Sequence, residues 1–342
     1  MKKILFTLSI ILLIFVLVDS CVARRDSDAD ESAEQQSTTN SDFEDEVYAE
    51  EPDEEFSEEV EDDEELEAET AADDESVEDE PAVEVNGKAI YGLELPAART
   101  DDSYPEAVTF EVTVDGERNY AVYYDTETYT PLWVAYPLAA HHMGTLKRPS
   151  GWDYNPQLST SDQVNLCSHS YNDDYSRGHL IPNASRNGNR EMQVQTFYVT
   201  NSVPQIQNKF NGGIWQRLES ALQGIAQQET IYIVTGVAFQ KQGESCEVRY
   251  TTAKDDTKRV PVPNYFYKVV LKVKSDAQGN ITDASTVGLW FEHRTYSDSF
   301  ENYTVSVNQI EEWTGFDYFP SLDDELEARA EKNSSWKVFK SW

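Results

Sequence analysis

Cysteine is scarce in this chain: three in 342 residues, at positions 21, 167 and 246. That excludes a disulfide-dense scaffold. Long apolar runs are as scarce. Only Ile4 to Val18 qualifies, which excludes a multi-span membrane protein. Lys and Arg are missing altogether from Asp26 to Glu84, where 30 of the 64 acidic residues lie. The net charge of −37 is therefore concentrated at the front, since residues 85–342 hold 23 basic and 33 acidic residues. Most aromatics follow residue 84, so neither a wholly disordered chain nor one compact unit over the full length fits.

The front end reads as an address and a spacer. Met1-Lys2-Lys3 is a positive start, and the 15-residue apolar run behind it is short for a spanning helix, which needs about 20. Leu17-Val18-Asp19-Ser20-Cys21 resembles a bacterial lipobox, with Asp19 where a small or apolar residue is usual. Residues 1–21 are expected to be a lipoprotein-type signal peptide ending in the lipobox cysteine. The chain is then extracytoplasmic, anchored by a lipid on Cys21 to a bacterial membrane, at the outer membrane or cell surface. An uncleaved signal anchor is the alternative. Residues 22–94 are expected to be a disordered acidic spacer, because like charges repel and little apolar surface is there to bury. The competing reading is an anionic decoy for a basic groove.

Residues 95–342 read as one α+β domain. Phe110–Val114, Tyr120–Tyr124 and Leu132–Tyr136 have strand composition, and Asp115-Gly116 supplies a turn between the first two. Further strands are expected at Thr196–Thr200, Ile231–Thr235, Phe266–Val273 and Val287–Phe291. Trp215, Leu218, Leu222 and Ile225 form one apolar stripe, predicting a helix from Gly213 to Gln227 with Trp215 in the core. Shorter helices are expected at Asn308–Trp313, stopped by Gly315, and at Asp323–Lys332.

Three clusters carry the chemistry. Tyr175-Ser176-Arg177-Gly178-His179-Leu180-Ile181-Pro182 comes first. Next come Asn201-Ser202-Val203-Pro204-Gln205 and then Asn211-Gly212-Gly213-Ile214-Trp215-Gln216-Arg217-Leu218-Glu219. Together they offer one imidazole, several guanidiniums, amides and a carboxylate. A neutral imidazole takes a proton from water near pH 7. Guanidiniums clamp phosphate oxygens, and an amide oxygen is a hard ligand suited to a hydrated Mg²⁺. These parts suit hydrolysis of a phosphodiester.

In order and spacing the clusters resemble the DNA/RNA non-specific endonuclease family, of the ββα-metal (His-Me finger) superfamily. The resemblance covers roughly 95–342, with Trp133-Val134-Ala135-Tyr136 and Arg148-Pro149 upstream and Val234-Thr235-Gly236 and Phe266-Tyr267-Lys268-Val269 downstream. It implies a mixed, largely antiparallel sheet carrying a ββα-metal finger. It implies DNA and RNA as substrates, 5′-phosphate products and Mg²⁺ as the ion, with Mn²⁺ as the alternative. His179 falls on the general base, Asn211 on the only direct metal ligand, and Glu219 on a residue that holds metal-bound waters. Arg177 and Arg148 fall on phosphate-binding arginines, and Asn201 on a residue that supports the site and orients the histidine. The family's leading aspartate is Ser176 here, a change expected to tune the site. A catalytically weakened surface lipoprotein of the same fold, binding nucleic acid or a protein, is the rival reading.

Four structural expectations follow. On a continuous helix Asn211 and Glu219 would stand ~12 Å apart along the axis, so a shared ion requires a bend at Gly212-Gly213. His141-His142, at a strand end, should point to opposite faces and hold no metal. Lys209, Arg217 and Arg186 form a local basic rim. Cys167 and Cys246 either pair or stay as two thiols.

Overall fold

A computed structural model describes residues 92–342; the signal peptide, the lipobox and residues 22–91 of the acidic segment lie outside the described residues. Three strands open the domain: β1 (Ala107–Val114), β2 (Glu117–Asp125) and β3 (Thr130–Leu138). Asp115 and Gly116 both take positive φ in the tight turn between the first two, as their identities predict. Next come β4 (Tyr175–His179), helix α1 (Arg190–Gln195) and β5 (Ser202–Ile206). Helix α2 (Gln216–Ala226) and β6 (Ile231–Ala238) follow. A small hairpin, β7 (Arg249–Thr252) and β8 (Arg259–Val262), precedes the long strands β9 (Tyr265–Ser275) and β10 (Ile281–Glu292). The two-residue β11 (Thr304–Val305) and helices α3 (Val307–Thr314), α4 (Asp324–Ala330) and α5 (Trp336–Ser341) end the chain. No helix among the described residues is long and apolar enough to cross a membrane.

The main sheet runs β1-β2-β3-β6-β9-β10-β11 with every neighbouring pair antiparallel. Both of its faces are buried. Val134 and Tyr136 point into a core shared with α2, while Trp133 and Ala135 on the same strand point into a second core shared with α3. This explains why β3 is buried along its whole length and reads as an unbroken apolar run rather than an alternating one. The architecture is the expected α+β class.

One strand and one helix start differ from expectation. Residues 196–200 form no sheet strand. Thr196 caps α1, and Val199–Asn201 is a single 3₁₀ turn. Their β-branched and aromatic side chains are satisfied by burial instead of by a ladder, with Thr196 and Thr200 fully buried and Phe197 nearly so. The helix begins regularly only at Gln216, because Gly212 and Gly213 leave helical dihedrals. The required bend is therefore present. Cys167 and Cys246 are both free thiols.

His293, which no motif singled out, ties β5 to the main sheet. Its Nε2 accepts from Ile206 N–H at 2.8 Å, and its Nδ1–H donates to the Pro263 carbonyl at 2.8 Å. The ring lies among Phe210 and Phe266. Burial lowers its pKa from 6.5 to about 4. A histidine kept neutral in the fold favours unfolding once protonated, so its contribution is complete above pH 6.5 and is lost as pH falls towards 4. Up to about 3 kcal/mol is at stake. Urea unfolding at stepped pH should show a flatter profile across this window for His293→Gln than for the wild type. Parallel profiles would remove His293 from the acid response.

Candidate active site

β4 and β5 form a separate two-stranded ribbon, with Ser176 opposite Gln205 and His179 opposite Ser202. Strand alternation puts Tyr175, Arg177 and His179 on one face, and Ser176 and Gly178 on the other. A Cβ at position 178 would run into the Gln205 side chain, so the ribbon closes only over glycine. Beyond His179 the ladder stops, and Asn201 takes over. Its Oδ1 accepts from Ile181 N–H at 3.0 Å. Its Nδ2 donates to the Ile181 carbonyl at 2.9 Å and to the Thr196 carbonyl at 2.7 Å. The amide imitates a strand partner, and every bond it makes is buried.

His179 is held by rings. Trp152 lies 4.5 Å away and Phe197 4.9 Å away, the latter edge-on. Arg177 packs over Trp152 at 5.4 Å, and Arg148 over Phe197 at 5.1 Å. Residues separated by up to 50 positions thus meet around one imidazole. Burial, reinforced by the Arg148 and Arg177 cations, holds the His179 pKa well below its ordinary range, while a hydrogen bond to the Arg177 backbone pulls the other way. The ring is neutral at physiological pH. Its Nε2 is out of solvent and has no hydrogen-bond partner. Trp152 was not anticipated. The available signal was a lone tryptophan in a polar Pro/Gly loop four residues after Arg148.

Asn211 sits on the irregular lead-in to α2. Its Nδ2 donates to Gln207 Oε1 at 2.9 Å and to Ser176 Oγ at 3.3 Å. The Ser176 hydroxyl itself donates to the Gln205 carbonyl at 2.9 Å. With its amino group fixed on two sides, Asn211 keeps Oδ1 without a donor among the described residues, which is the state a hard-cation ligand requires. Glu219 is turned to the main sheet. Its Oε1 is 3.8 Å from Lys268 Nζ, which also donates to Thr235 Oγ1 at 2.7 Å and lies 4.5 Å over the Trp215 ring. Burial raises the Glu219 pKa and lowers that of Lys268, each opposed by the other's charge. No direct contact joins Glu219 to Asn211 or His179 among the described residues. Trp215 is a core residue as expected.

Two expectations are corrected. Arg186 belongs to no rim: it is fully buried, donating to Asn119, Ser185 and Pro137 carbonyls, whereas Lys209 and Arg217 are exposed. His141 and His142 do not diverge, because they lie on a 3₁₀ turn rather than a strand end, and their rings are 4.0 Å apart. With Glu117 they bring three ligand-capable atoms within 4.8 Å. Their residue types suit a transition metal. However, His142 Nδ1 already accepts from Ala139 N–H at 3.0 Å, so metal binding through Nε2 would place a second proton against that donor.

A histidine on a two-stranded ribbon, followed by a helix whose bent lead-in presents an amide, has the layout of a ββα-finger nuclease. Residues 103–325 match the DNA/RNA non-specific endonuclease family. The chain belongs to that family. It is 27% identical over 217 residues to the mitochondrial nuclease EXOG of Danio rerio, an alignment covering 60% of each protein. It is 25% identical over 222 residues to a nuclease of a Nostoc species, covering 63% of this chain and 76% of that one. The chain thus spans less than two thirds of the EXOG length. A solved structure of the EndoG/EndoGI complex shares the fold, with a TM-score of 0.51 and 20% identity over 63% of this chain and 88% of that chain. Family membership supports a nuclease function.

Asn201→Ala should be costly. It strands the Ile181 N–H and carbonyl and the Thr196 carbonyl in the interior, at about 1–3 kcal/mol for each buried group left unpaired. A loss of at least about 3 kcal/mol is expected in denaturant unfolding; a change under about 1 kcal/mol would show that the amide carries no such bridge.

Proposed function

We propose that this chain is a metal-dependent, sugar-nonspecific endonuclease that hydrolyses phosphodiester bonds of DNA and RNA. The observation that carries the reading is the unpartnered Nε2 of a neutral His179 flanked by the Arg148 and Arg177 cations. His179 takes the proton of the attacking water at Nε2, the atom with no competing partner. Its backbone hydrogen bond and the Trp152–Phe197 cage hold the ring so that the lone pair stays available. Arg177 and Arg148 pair with the phosphate oxygens as charge builds on them. Asn211 Oδ1 would hold a hydrated Mg²⁺ or Mn²⁺, and Ser176 fixes that amide in place of the family's aspartate. When bound there, such an ion would supply Lewis-acid stabilisation of the charge that builds on the phosphate and on the leaving 3′ oxygen. Glu219, charge-paired with Lys268, is assigned to the ion's water shell. The lipobox at Cys21 and the preceding apolar run support display outside the cytoplasm on a bacterial membrane, with residues 26–84 holding the domain away from the lipid.

Plasmid nicking with Mg²⁺, then with excess chelator, tests the activity. Cleavage that persists in chelator rejects the metal dependence, and no cleavage with Mg²⁺ or, in a parallel run, with Mn²⁺ hands the fold to a non-catalytic binding role. His179→Ala should reduce kcat by 10²–10⁴ while leaving the unfolding midpoint nearly unchanged. Near-normal nicking by that variant removes His179 as the base.

Metal titrations probe the amide. Ser176→Ala should raise the Mg²⁺ concentration for half-maximal activity several-fold with little change in the saturated rate. Asn211→Ala should lose most activity and regain part of it in excess ion. Coincident titrations of Ser176→Ala and wild type would mean that the hydroxyl does not position Asn211.

A further inference from the structure

Two adjoining clefts of about 440 and 410 Å³ open along the β7–β8 hairpin, and both are lined by Asp173, Tyr250 and Arg259. The second reaches Arg249 and Tyr175, the first residue of β4. β4 ends at His179, four residues and ~13 Å of strand rise away. That is the axial length of about four stacked nucleotides at ~3.4 Å each.

The clefts bring one exposed ring and two guanidiniums together. Tyr250 is 46% exposed and is the only aromatic among the exposed large apolar side chains of the described residues. The pairing of Tyr250 with Pro261 and of Thr252 with Arg259 puts Tyr250 and Arg259 on one face of the hairpin. The Arg259 guanidinium lies 4.5 Å over the tyrosine ring, so one ring face is covered by cation and the other remains for a planar group. Carboxylates outnumber cations in this domain, and Arg99, Arg118, Arg294 and Arg329 are all ion-paired. Arg249 and Arg259 have no carboxylate partner among the described residues. Asp173 and Glu247 also line the clefts, but the Asp173 carboxylate accepts from the Thr251 hydroxyl at 2.9 Å. An exposed ring backed by a guanidinium, in a cleft that Arg249 also lines from the alternate side of β7, is a combination that binds unpaired nucleotides without regard to sequence.

We propose that the β7–β8 hairpin is a substrate-strand subsite: one base stacks on Tyr250, and flanking phosphates bind Arg249 and Arg259, a few nucleotides from the scissile bond. The inference rests on the nuclease reading above for its ligand. It adds a binding surface that lies outside the three motif clusters.

The test is fluorescence anisotropy with the full-length chain and a fluorescein-labelled oligo-dT 12-mer, in chelator to prevent cleavage, at two salt concentrations. Tyr250→Ala should weaken binding ~10-fold, while Tyr250→Phe should retain it. The Arg249→Gln/Arg259→Gln pair should weaken binding and lower the slope of log affinity against log salt by about 1.4. A loss caused by misfolding would instead shift the melting midpoint of Tyr250→Ala. Affinities and slopes equal to wild type overturn the subsite. Plasmid nicking by the wild type, run alongside with Mg²⁺, reports on the nuclease reading separately. If the wild type nicks but the variants bind normally, the subsite fails and the nuclease stands. If the wild type does not nick but the variants bind weakly, the nuclease reading fails and the hairpin stands as a strand-binding surface without cleavage.

Discussion

The side-chain amide of Asn201 supplies the bonds that a strand would have provided if the β4–β5 ladder had continued past His179. By pairing with both polar groups of Ile181 and with the Thr196 carbonyl, it joins the end of the histidine strand to the turn that carries Phe197. The imidazole and one wall of its aromatic cage are thereby fixed by the same side chain. In a buried setting a fully satisfied amide admits one arrangement, because any other leaves polar groups unpaired. The backbone bond from Leu180 N–H to the Asn201 carbonyl at 3.1 Å and the Trp152 and Phe197 rings complete the support of His179.

Two buried cations organise the opposite ends of the site's support, by different means. Arg186 has its charge spread over backbone carbonyls and a stack on Tyr136 at 5.3 Å. Lys268 faces a carboxylate, and that carboxylate is Glu219. The helix that follows the Asn211 bend is therefore attached to β9 by charge as well as by the packing of Trp215 and Leu218. Removing either partner would leave the other charged and buried, which is costlier than removing both.

The motifs identified the chemistry better than they identified the local structure around it. Arg177-Gly178-His179 and Asn211 to Glu219 were readable as functional clusters, yet the polar five-residue β4 has no strand signature, since its ladder is set by Gln205 packing over Gly178. Thr196 to Thr200 looked like a strand because β-branched residues mark burial as readily as they mark sheet. The long strands β2, β3, β6, β9 and β10 are plain from composition, because a sheet covered on both faces draws apolar residues to most positions. The Gly212-Gly213 bend followed from the geometry that one ion imposes on residues eight apart. Tertiary partnerships left no local trace: the burial of Arg186, the Glu219–Lys268 pair, Trp152 beside His179, and the convergence of His141 and His142.

The two free thiols have a consequence for the producing cell. No covalent cross-link holds the described domain, so its folding needs no oxidant and proceeds equally well in a reducing compartment. If the domain is exported and cuts nucleic acid without regard to sequence, as proposed above, a copy that folds before export is a hazard to the chromosome beside it. Redox chemistry offers no safeguard of the kind that disulfide-dependent secreted enzymes possess. Were the chain exported as proposed, kinetics would offer one instead: an antiparallel order that draws strands together from residue 107 to residue 305 is slow to assemble, so the seven-stranded sheet would still be incomplete during transit.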